Sequence, residues 1–252
     1  MIYVVTVHYK SDRWVPIQLR YLRRHIDEPF QIYSHCDKGF GAALEQHGPV
    51  CRKVFKGQGS ANHSAKLDHL AGGVLKVAAP TDIVLFLDGD AFPISDALMP
   101  EIRRWTTDPG LIAIRRENGN SPLVPHPSFC AATAAFWKEL PGIWDNSACK
   151  VGNNVIQDTG CRLYQRLTAQ GKKWHEVLRT NKKNWHPLYF GVYGDIVYHH
   201  GAGFRPYTIP SWYGDGARSR KVVDASRKIL SLIDRHKDFY NVFLNGKYSE
   251  EL

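Results

Sequence analysis

Residues 82–94 read DIVLFLDGDAFPI and carry the strongest signal for the fold class. The apolar run at positions 83–87 is typical of a strand that is buried on both faces of a parallel sheet. It leads directly into Asp88-Gly89-Asp90. Because ligands of open α/β sheets bind beyond the carboxyl ends of the strands, we expect both carboxylates to lie at a ligand site. The sequence therefore predicts a mainly parallel sheet with this strand buried at its centre.

Strand-like and helix-like segments alternate on both sides of this stretch. Strand patterns cover residues 2–7, 30–34, 50–55, 111–115, 128–134 and 195–199, and helical patterns cover 14–26, 65–78, 159–178 and 218–243. In the first helical segment, Leu19, Leu22 and Ile26 recur at helical spacing. Alternation of this kind is the pattern of an open α/β sheet flanked by helices. The last segment has the composition of a basic amphipathic helix or helix pair.

The composition is that of a globular protein. Of the 252 residues, 43% are hydrophobic and 23% are charged, which excludes a disordered or fibrous chain. The five cysteines are odd in number and form no CxxC pair, so neither a disulfide framework nor a cysteine zinc site is indicated. A reducing compartment, and with it a cytoplasmic location, is expected. No apolar run is long enough to cross a membrane, and the run at 1–7 is too short for a signal-peptide core.

The net charge of +9 favours an acidic partner, such as a nucleotide diphosphate, a nucleic acid, an anionic glycan or an anionic membrane surface. A solvated basic surface explains the same charge equally well. The sequence contains no helix-turn-helix, zinc-finger or RNP-like motif, so a nucleic-acid-binding protein is the less favoured class. Peripheral contact with a membrane stays compatible with the charge.

Asp88 and Asp90 are the candidate metal ligands. Two carboxylates separated by a glycine can bind one divalent cation, and their hard oxygens suit Mg²⁺ or Mn²⁺ bridging to substrate phosphates. The alternative is a turn in which both side chains bond the local backbone. The apolar strand directly before the motif favours metal binding.

On these residues the sequence resembles the GT-A superfamily of nucleotide-sugar-dependent glycosyltransferases, over roughly residues 1–205. The resemblance implies a Rossmann-like, mostly parallel twisted sheet flanked by helices, with a basic helical tail. It implies a catalytic domain at 1–217, with a nucleotide-binding half at about 1–95 and an acceptor half at about 96–217, and a helical extension at 218–252 packed on it. It also implies a Mn²⁺ or Mg²⁺ ion between Asp88, Asp90 and the diphosphate of a nucleotide-sugar donor, with a UDP-sugar favoured.

The resemblance further implies which residues contact the donor. They are Thr6, Val7, His8 and Tyr9 at the end of the first strand, Asp37 after the second, Lys66 and Asp68 on the next helix, Gly89 in the metal motif, and Arg205 in a glycine-rich segment. A turn explains Asp37 equally well, and a solvated helix face explains Lys66 and Asp68. If that helix starts near Ser64, its N-terminal amides would favour a phosphate.

A late histidine is a further metal ligand that the resemblance implies, and His199 and His200 both match it. Adjacent residues of a regular strand point to opposite faces, so at most one of the two should ligate. The sequence does not choose between them. A histidine in the core or on the surface is the alternative for each.

Asp158 precedes a helical segment, and its residue type and position predict a helix N-cap. The resemblance implies a second role, the general base of an inverting transfer, which tends to sit at a helix start after the acceptor strand. The usual Glu-Asp pair is absent, because Gln157 precedes Asp158. Both roles stay open, with inversion slightly favoured.

A sugar nucleotidyltransferase of the same fold is the main alternative activity. Such an enzyme would usually carry a glycine-rich, arginine-containing loop after its first strand, whereas residues 8–13 read HYKSDR. The sequence leaves the donor sugar, the acceptor and the oligomeric state open. For the acceptor we expect a glycan, a glycolipid or a small molecule rather than a nucleic acid.

Overall fold

The structure is a computed structural model that describes residues 1–9, 11–37, 39–56, 59–107, 110–115, 124–140, 144–145, 148–151, 154–181, 189–201 and 216–235. Its strands are β1 Ile2–His8, β2 Phe30–Cys36, β3 Val50–Cys51, β4 Ile83–Asp88, β5 Ala91–Pro93, β6 Leu111–Arg115, β7 Pro125–Thr133, β8 Ala148–Val151, β9 Asn154–Gln157, β10 Trp174–Val177, β11 Gly191–Tyr193 and β12 Val197–His199. Its helices are α1 Trp14–His25, α2 Gly59–Val74, α3 Leu98–Thr106, α4 Ala134–Glu139, α5 Cys161–Ala169 and α6 Gly216–Arg235.

A seven-stranded sheet forms the centre of the molecule, in the order β10-β6-β7-β4-β1-β2-β3. The pairs of β1 with β2, β1 with β4, β2 with β3 and β6 with β10 are parallel, while β7 is antiparallel to both β4 and β6. Within this sheet, β7 therefore runs against the other six strands. The prediction of a mostly parallel α/β sheet with the DIVLFL strand at its centre is confirmed.

Helices cover both faces of this sheet. Side chains alternate between the two faces along each strand, and the strands carry apolar side chains on both faces. On one face, Ile2 and Val4 pack in a cluster with apolar residues of α1 and α3. On the other face, Tyr3, Val5 and Val7 pack in a cluster with residues of α2, α4 and α5. The near-continuous apolar sequence of β1 and β4 thus reflects burial on two sides.

A second, three-stranded antiparallel sheet in the order β11-β12-β5 lies beside the main one. α6 joins it through a shared apolar cluster that includes Trp14 and Tyr21 of α1 and Ile229 and Ile233 of α6. Arg20 of α1 also donates a hydrogen bond of 2.7 Å to the Ile233 carbonyl. Among the described helices, none combines the length and apolar character needed to span a bilayer.

Three predicted elements need correction. The strand expected at 50–55 is reduced to the two residues of β3. The helix expected at 65–78 begins at Gly59, so Ser64 lies inside α2 and not at its N-terminus. The helix expected at 159–178 is wrong in its second half. The backbone turns at Gly171, whose φ is 62°, and Trp174 then begins β10, which pairs with β6.

Candidate functional site

The carboxylates of the DGD turn meet a histidine from the second sheet. Asp88 ends β4, Asp90 precedes β5, and the pairing of β5 with β12 places His199 opposite Ala91. The His199 Nε2 atom lies 3.5 Å from Asp88 Oδ2 and 3.4 Å from Asp90 Oδ1. One ligand atom from each of the three residues lies within 4.8 Å of the other two. We call these three residues the metal group.

His200 lies on the other side of β12 from the metal group. Its Nδ1 atom is 2.9 Å from the Tyr198 hydroxyl, and its Nε2 atom is 3.0 Å from the Ser226 hydroxyl of α6. Burial lowers the pKa of His200 to about 3, so the ring is neutral. Because both ring nitrogens bond other side chains, the structure does not support the expectation of His200 as a metal ligand.

Two further histidines, which the sequence did not single out, lie beside the metal group. His63 of α2 places its Nε2 atom 3.1 Å from Asp88 Oδ1. The ring of His126, near the start of β7, has its centroid 6.2 Å from that of His199. His126 also bonds Ser128 through its Nδ1 atom at 2.8 Å. Since β7 runs antiparallel to β4, its first residues lie at the edge where Asp88 ends its strand.

These histidines determine the ionisation of the two carboxylates. Burial alone would raise the pKa of Asp88, but His63, through its hydrogen bond and charge, together with His199 and His126, lowers it overall. Burial likewise raises the pKa of Asp90, and its contacts with His199 outweigh this effect and lower it. Both carboxylates are therefore anionic at neutral pH, as metal ligands must be.

A second polar group lies at the carboxyl ends of β1 and β2. The Lys66 Nζ atom is 3.9 Å from Asp37 Oδ1 and 5.4 Å from the centre of the Tyr9 ring. Lys66 is only 4% exposed, and burial lowers the pKa of its ammonium group, with Asp37 and Tyr9 opposing that shift. We call Tyr9, Asp37 and Lys66 the Lys66 group. His63 and Lys66 are three residues apart on α2, so one helix face serves both groups.

The three residues before Tyr9, which were expected to contact the donor, lie inside the protein. Thr6, Val7 and His8 are buried, and the Thr6 hydroxyl and the His8 Nε2 atom both lie 3.2 Å from the Gln18 Oε1 atom. Burial lowers the pKa of His8 to about 4. Of the four residues predicted to contact a base and ribose, Tyr9 is the exposed one, at 39%.

Asp68 and Asp158 each have a hydrogen bond that the sequence did not predict. Asp68 accepts a bond of 3.1 Å from the Trp144 backbone N–H, which ties α2 to the segment before β8. Asp158 accepts a bond of 2.8 Å from the N–H of Thr159. The N-cap of α5 is Gly160, so the prediction of Asp158 as the helix N-cap is wrong. Its carboxylate is half-buried.

Gly89 lies in the turn between β4 and β5, as expected from the motif. Arg205 lies outside the described residues. The two missed histidines share a position in line with buried apolar residues: His63 is four residues before the buried Leu67 of α2, and His126 precedes the buried part of β7. For His126, an antiparallel β7 was the missing information, because it determines which end of the strand lies near Asp88.

No family model matches the chain, and no curated protein matches it. Among solved structures, it is similar to the mannosyltransferase PcManGT from Pyrobaculum calidifontis in complex with GDP-Man and Mn²⁺, with a TM-score of 0.48 and 11% identity over 73% of this chain. The match covers 57% of the mannosyltransferase chain. It is also similar to S. aureus TarS 1–349, with a TM-score of 0.45 and 13% identity over 98% of this chain and 72% of the other.

A further similar structure is the 4-diphosphocytidyl-2C-methyl-D-erythritol synthase from Anaerococcus prevotii, with a TM-score of 0.41 and 11% identity. The match covers 71% of this chain and 86% of the synthase. At such identities and TM-scores, these similarities assign neither a substrate nor an activity to this chain.

Proposed function

We propose that the protein transfers a sugar from a nucleotide-diphosphate sugar to a hydroxyl acceptor in a metal-dependent reaction. The observation that carries this proposal is the metal group, Asp88, Asp90 and His199, at the carboxyl end of the central strand. The buried ammonium of Lys66 lies on the helix that also contacts Asp88 through His63. A divalent cation and an ammonium group at one sheet edge suit the charge of a diphosphate.

The donor atoms of the metal group suit a divalent ion that accepts both oxygen and nitrogen ligands. Two carboxylates suit Mg²⁺ and Mn²⁺, whereas an imidazole nitrogen is better suited to transition metals than to Mg²⁺. We therefore propose Mn²⁺ as the ion that Asp88, Asp90 and His199 hold. When bound, the ion would act as a Lewis acid and neutralise charge on the departing diphosphate.

For the donor, we propose that its base lies over the Lys66 group and that a UDP-sugar is preferred. Tyr9 offers a partly exposed ring for stacking, and Asp37 offers a carboxylate that can accept from a base N–H. The Lys66 ammonium lies near this pair, and Lys66 is three residues from the histidine that contacts Asp88, so we assign it to the diphosphate.

For the acceptor, we propose that Asp158 takes the hydroxyl proton as a general base. The acceptor oxygen forms a bond to the anomeric carbon while the bond from that carbon to the phosphate oxygen breaks. The nucleotide diphosphate leaves with the electron pair, and the proton passes to the Asp158 carboxylate. Attack opposite to the leaving group inverts the anomeric centre. We favour a glycan, a glycolipid or a small molecule as the acceptor.

A donor panel tests the proposed reaction. The purified protein is incubated with UDP-, GDP-, TDP- and CMP-sugars in Mn²⁺, Mg²⁺, Co²⁺ or Zn²⁺, and release of the nucleotide is measured without and then with sugar acceptors. We expect release from a UDP-sugar, highest in Mn²⁺. Pyrophosphate release from a nucleoside triphosphate and a sugar phosphate, with no release from any nucleotide sugar, would assign nucleotidyl transfer instead.

The same assay tests the role of the metal group through Asp90→Asn. Loss of one anionic ligand should lower nucleotide release by at least ~10²-fold, because the charge that holds the ion falls. Asp224→Asn, the same substitution on the exposed side of α6, is the matched control and should leave release unchanged. Wild-type rates in Asp90→Asn, or in excess chelator, would contradict the proposal.

A further inference from the structure

Gln18 is a buried amide that joins three elements behind the metal group. It lies on α1, is 1% exposed, and donates from Nε2 to the carbonyl oxygens of Asp88 at 2.9 Å and Ala91 at 2.8 Å. Its Oε1 atom lies 3.2 Å from both the Thr6 hydroxyl and the His8 Nε2 atom. The amide thus bonds both ends of the turn that carries Asp90, and the end of β1.

These contacts fix the orientation of the Gln18 amide. Reversing it would aim the Oε1 atom at two carbonyl oxygens, which offer no donor. The two donors of Nε2 therefore belong to Asp88 and Ala91, and Oε1 must accept from Thr6 and His8. It follows that His8 carries its proton on Nε2. All four hydrogen-bonding positions of the amide are then used, as buried polar groups require.

The backbone of the turn is held by these bonds together with one from β12. The Asp90 carbonyl accepts a bond of 3.0 Å from the His200 N–H, and Gln18 holds the carbonyls of Asp88 and Ala91. Three of the four carbonyls from Asp88 to Ala91 are thereby bonded to protein donors. The carboxylates of Asp88 and Asp90 stay directed at His199, within ligand distance of one another.

We propose that Gln18 is a positioning residue that sets the spacing of the Asp88 and Asp90 carboxylates for the metal ion. Its amide does not reach the ion's ligands directly; it acts through the backbone that carries them. Without it, two buried carbonyls lose their donors and the turn moves to find others. The preformed separation of the ligand atoms would then be lost. This inference rests on the metal-binding role proposed above for Asp88 and Asp90.

The test measures Mn²⁺ binding to the protein alone, by electron paramagnetic resonance titration without donor. Gln18→Met keeps the length and volume of the side chain but forms none of the four bonds. We expect its Mn²⁺ affinity to be about 10-fold to 100-fold weaker, the range found when residues that orient metal ligands are replaced. Thr6→Val, which removes one donor to Gln18 and leaves the turn bonds in place, should weaken binding measurably but less than Gln18→Met does, by roughly 3-fold to 10-fold.

A control separates positioning from loss of stability. Ile102→Ala removes buried apolar volume from α3, which packs chiefly against β6 and β7, and should lower the melting temperature without changing Mn²⁺ affinity. If Gln18→Met melts no lower than Ile102→Ala and binds Mn²⁺ like the wild type, the proposal is overturned. If Gln18→Met does not fold, wild-type Mn²⁺ affinity in Thr6→Val overturns it. Absence of Mn²⁺ binding in the wild type, or unchanged binding in Asp90→Asn, contradicts the proposed function instead.

Discussion

At the scale of single residues, the surroundings of a side chain separate roles that residue type leaves open. His199 and His200 are neighbours of the same type, yet one contacts two carboxylates and the other bonds Tyr198 and Ser226 in the core. Alternation along a strand predicts that they diverge. It does not predict which one faces the carboxylates, because that choice depends on the pairing of β12 with β5.

His63 tests how far the metal group depends on its neighbours. Its Nε2 atom lies 3.1 Å from Asp88 Oδ1. His63→Leu should weaken Mn²⁺ binding by about 10-fold or more, whereas His63→Gln, which keeps an N–H donor, should bind within a few-fold of the wild type, roughly. His69→Leu, the same substitution at an exposed position of α2, is the control. Equal Mn²⁺ affinity in His63→Leu and His69→Leu would show that His63 does not contribute to metal binding.

Asp158→Asn tests the proposed general base. Asn retains an oxygen that accepts from the Thr159 N–H, but it cannot take up a proton. We expect a normal melting temperature, normal donor binding and a transfer rate lower by at least ~10²-fold. The measurement is product formation with a working acceptor, together with the configuration of the new glycosidic bond. A retained configuration, or an unchanged rate, would exclude Asp158 as the base of an inverting transfer.

At the scale of elements, the apolar strands of the first half were predictable, and the second half was less so. β1 and β4 are nearly continuous apolar segments buried on both sides, a pattern with few alternatives. An apolar pattern does not indicate whether a strand such as β7 runs parallel or antiparallel to its neighbours. Trp174 matched a helical stripe but lies in a strand, because Gly171 and the pairing with β6 outweigh a spacing of a few residues.

The start of α5 offers an element-scale prediction that uses two glycines. Gly160 has φ of 103°, and a Cβ atom there would lie 1.9 Å from the Pro125 carbonyl oxygen of β7. Gly171 has φ of 62° with open space around it. Gly171→Ala should therefore cost about 1–2 kcal/mol of unfolding free energy from backbone strain alone. Gly160→Ala should cost about 3 kcal/mol or more, because strain and a backbone clash add.

Urea unfolding of both variants measures these costs. Because Pro125 precedes His126, the clash in Gly160→Ala would also displace the start of β7 from the metal group. Nucleotide release should then fall in Gly160→Ala and stay normal in Gly171→Ala. Similar unfolding free energies in the two variants would show that the contact between Gly160 and β7 is not tight.

At the scale of the whole molecule, buried neutral histidines make the fold sensitive to acid. Burial lowers the pKa of His8 from 6.5 to about 4, against the opposing effects of Gln18, Asp90 and Asp12. Above pH 6.5 the ring is neutral in both the folded and the unfolded chain. As the pH falls from 6.5 towards 4, the unfolded chain takes up a proton that the folded chain does not. Stability is therefore lost over this interval.

The expected contribution of His8 is about 2 kcal/mol of unfolding free energy lost between pH 7.5 and pH 5. Urea unfolding at the two pH values measures it. His8→Phe, which cannot titrate, should be less stable at pH 7.5 but should lose about 2 kcal/mol less than the wild type on acidification. The same loss in both proteins would show that His8 titrates alike in the folded and unfolded chain.

The packing of α6 against α1 has a consequence for the order in which the chain is made. Trp14, Ile17 and Tyr21 are buried against Ile229 and Ile233, which are translated roughly 10–40 s later at ordinary rates of synthesis. Throughout that interval, the aromatic side of α1 lacks the cover that α6 gives it, although Phe92 of β5, which stacks on Tyr21, is made early. The growing chain therefore presents an apolar surface of the kind that chaperones bind, and it loses that surface when α6 leaves the ribosome.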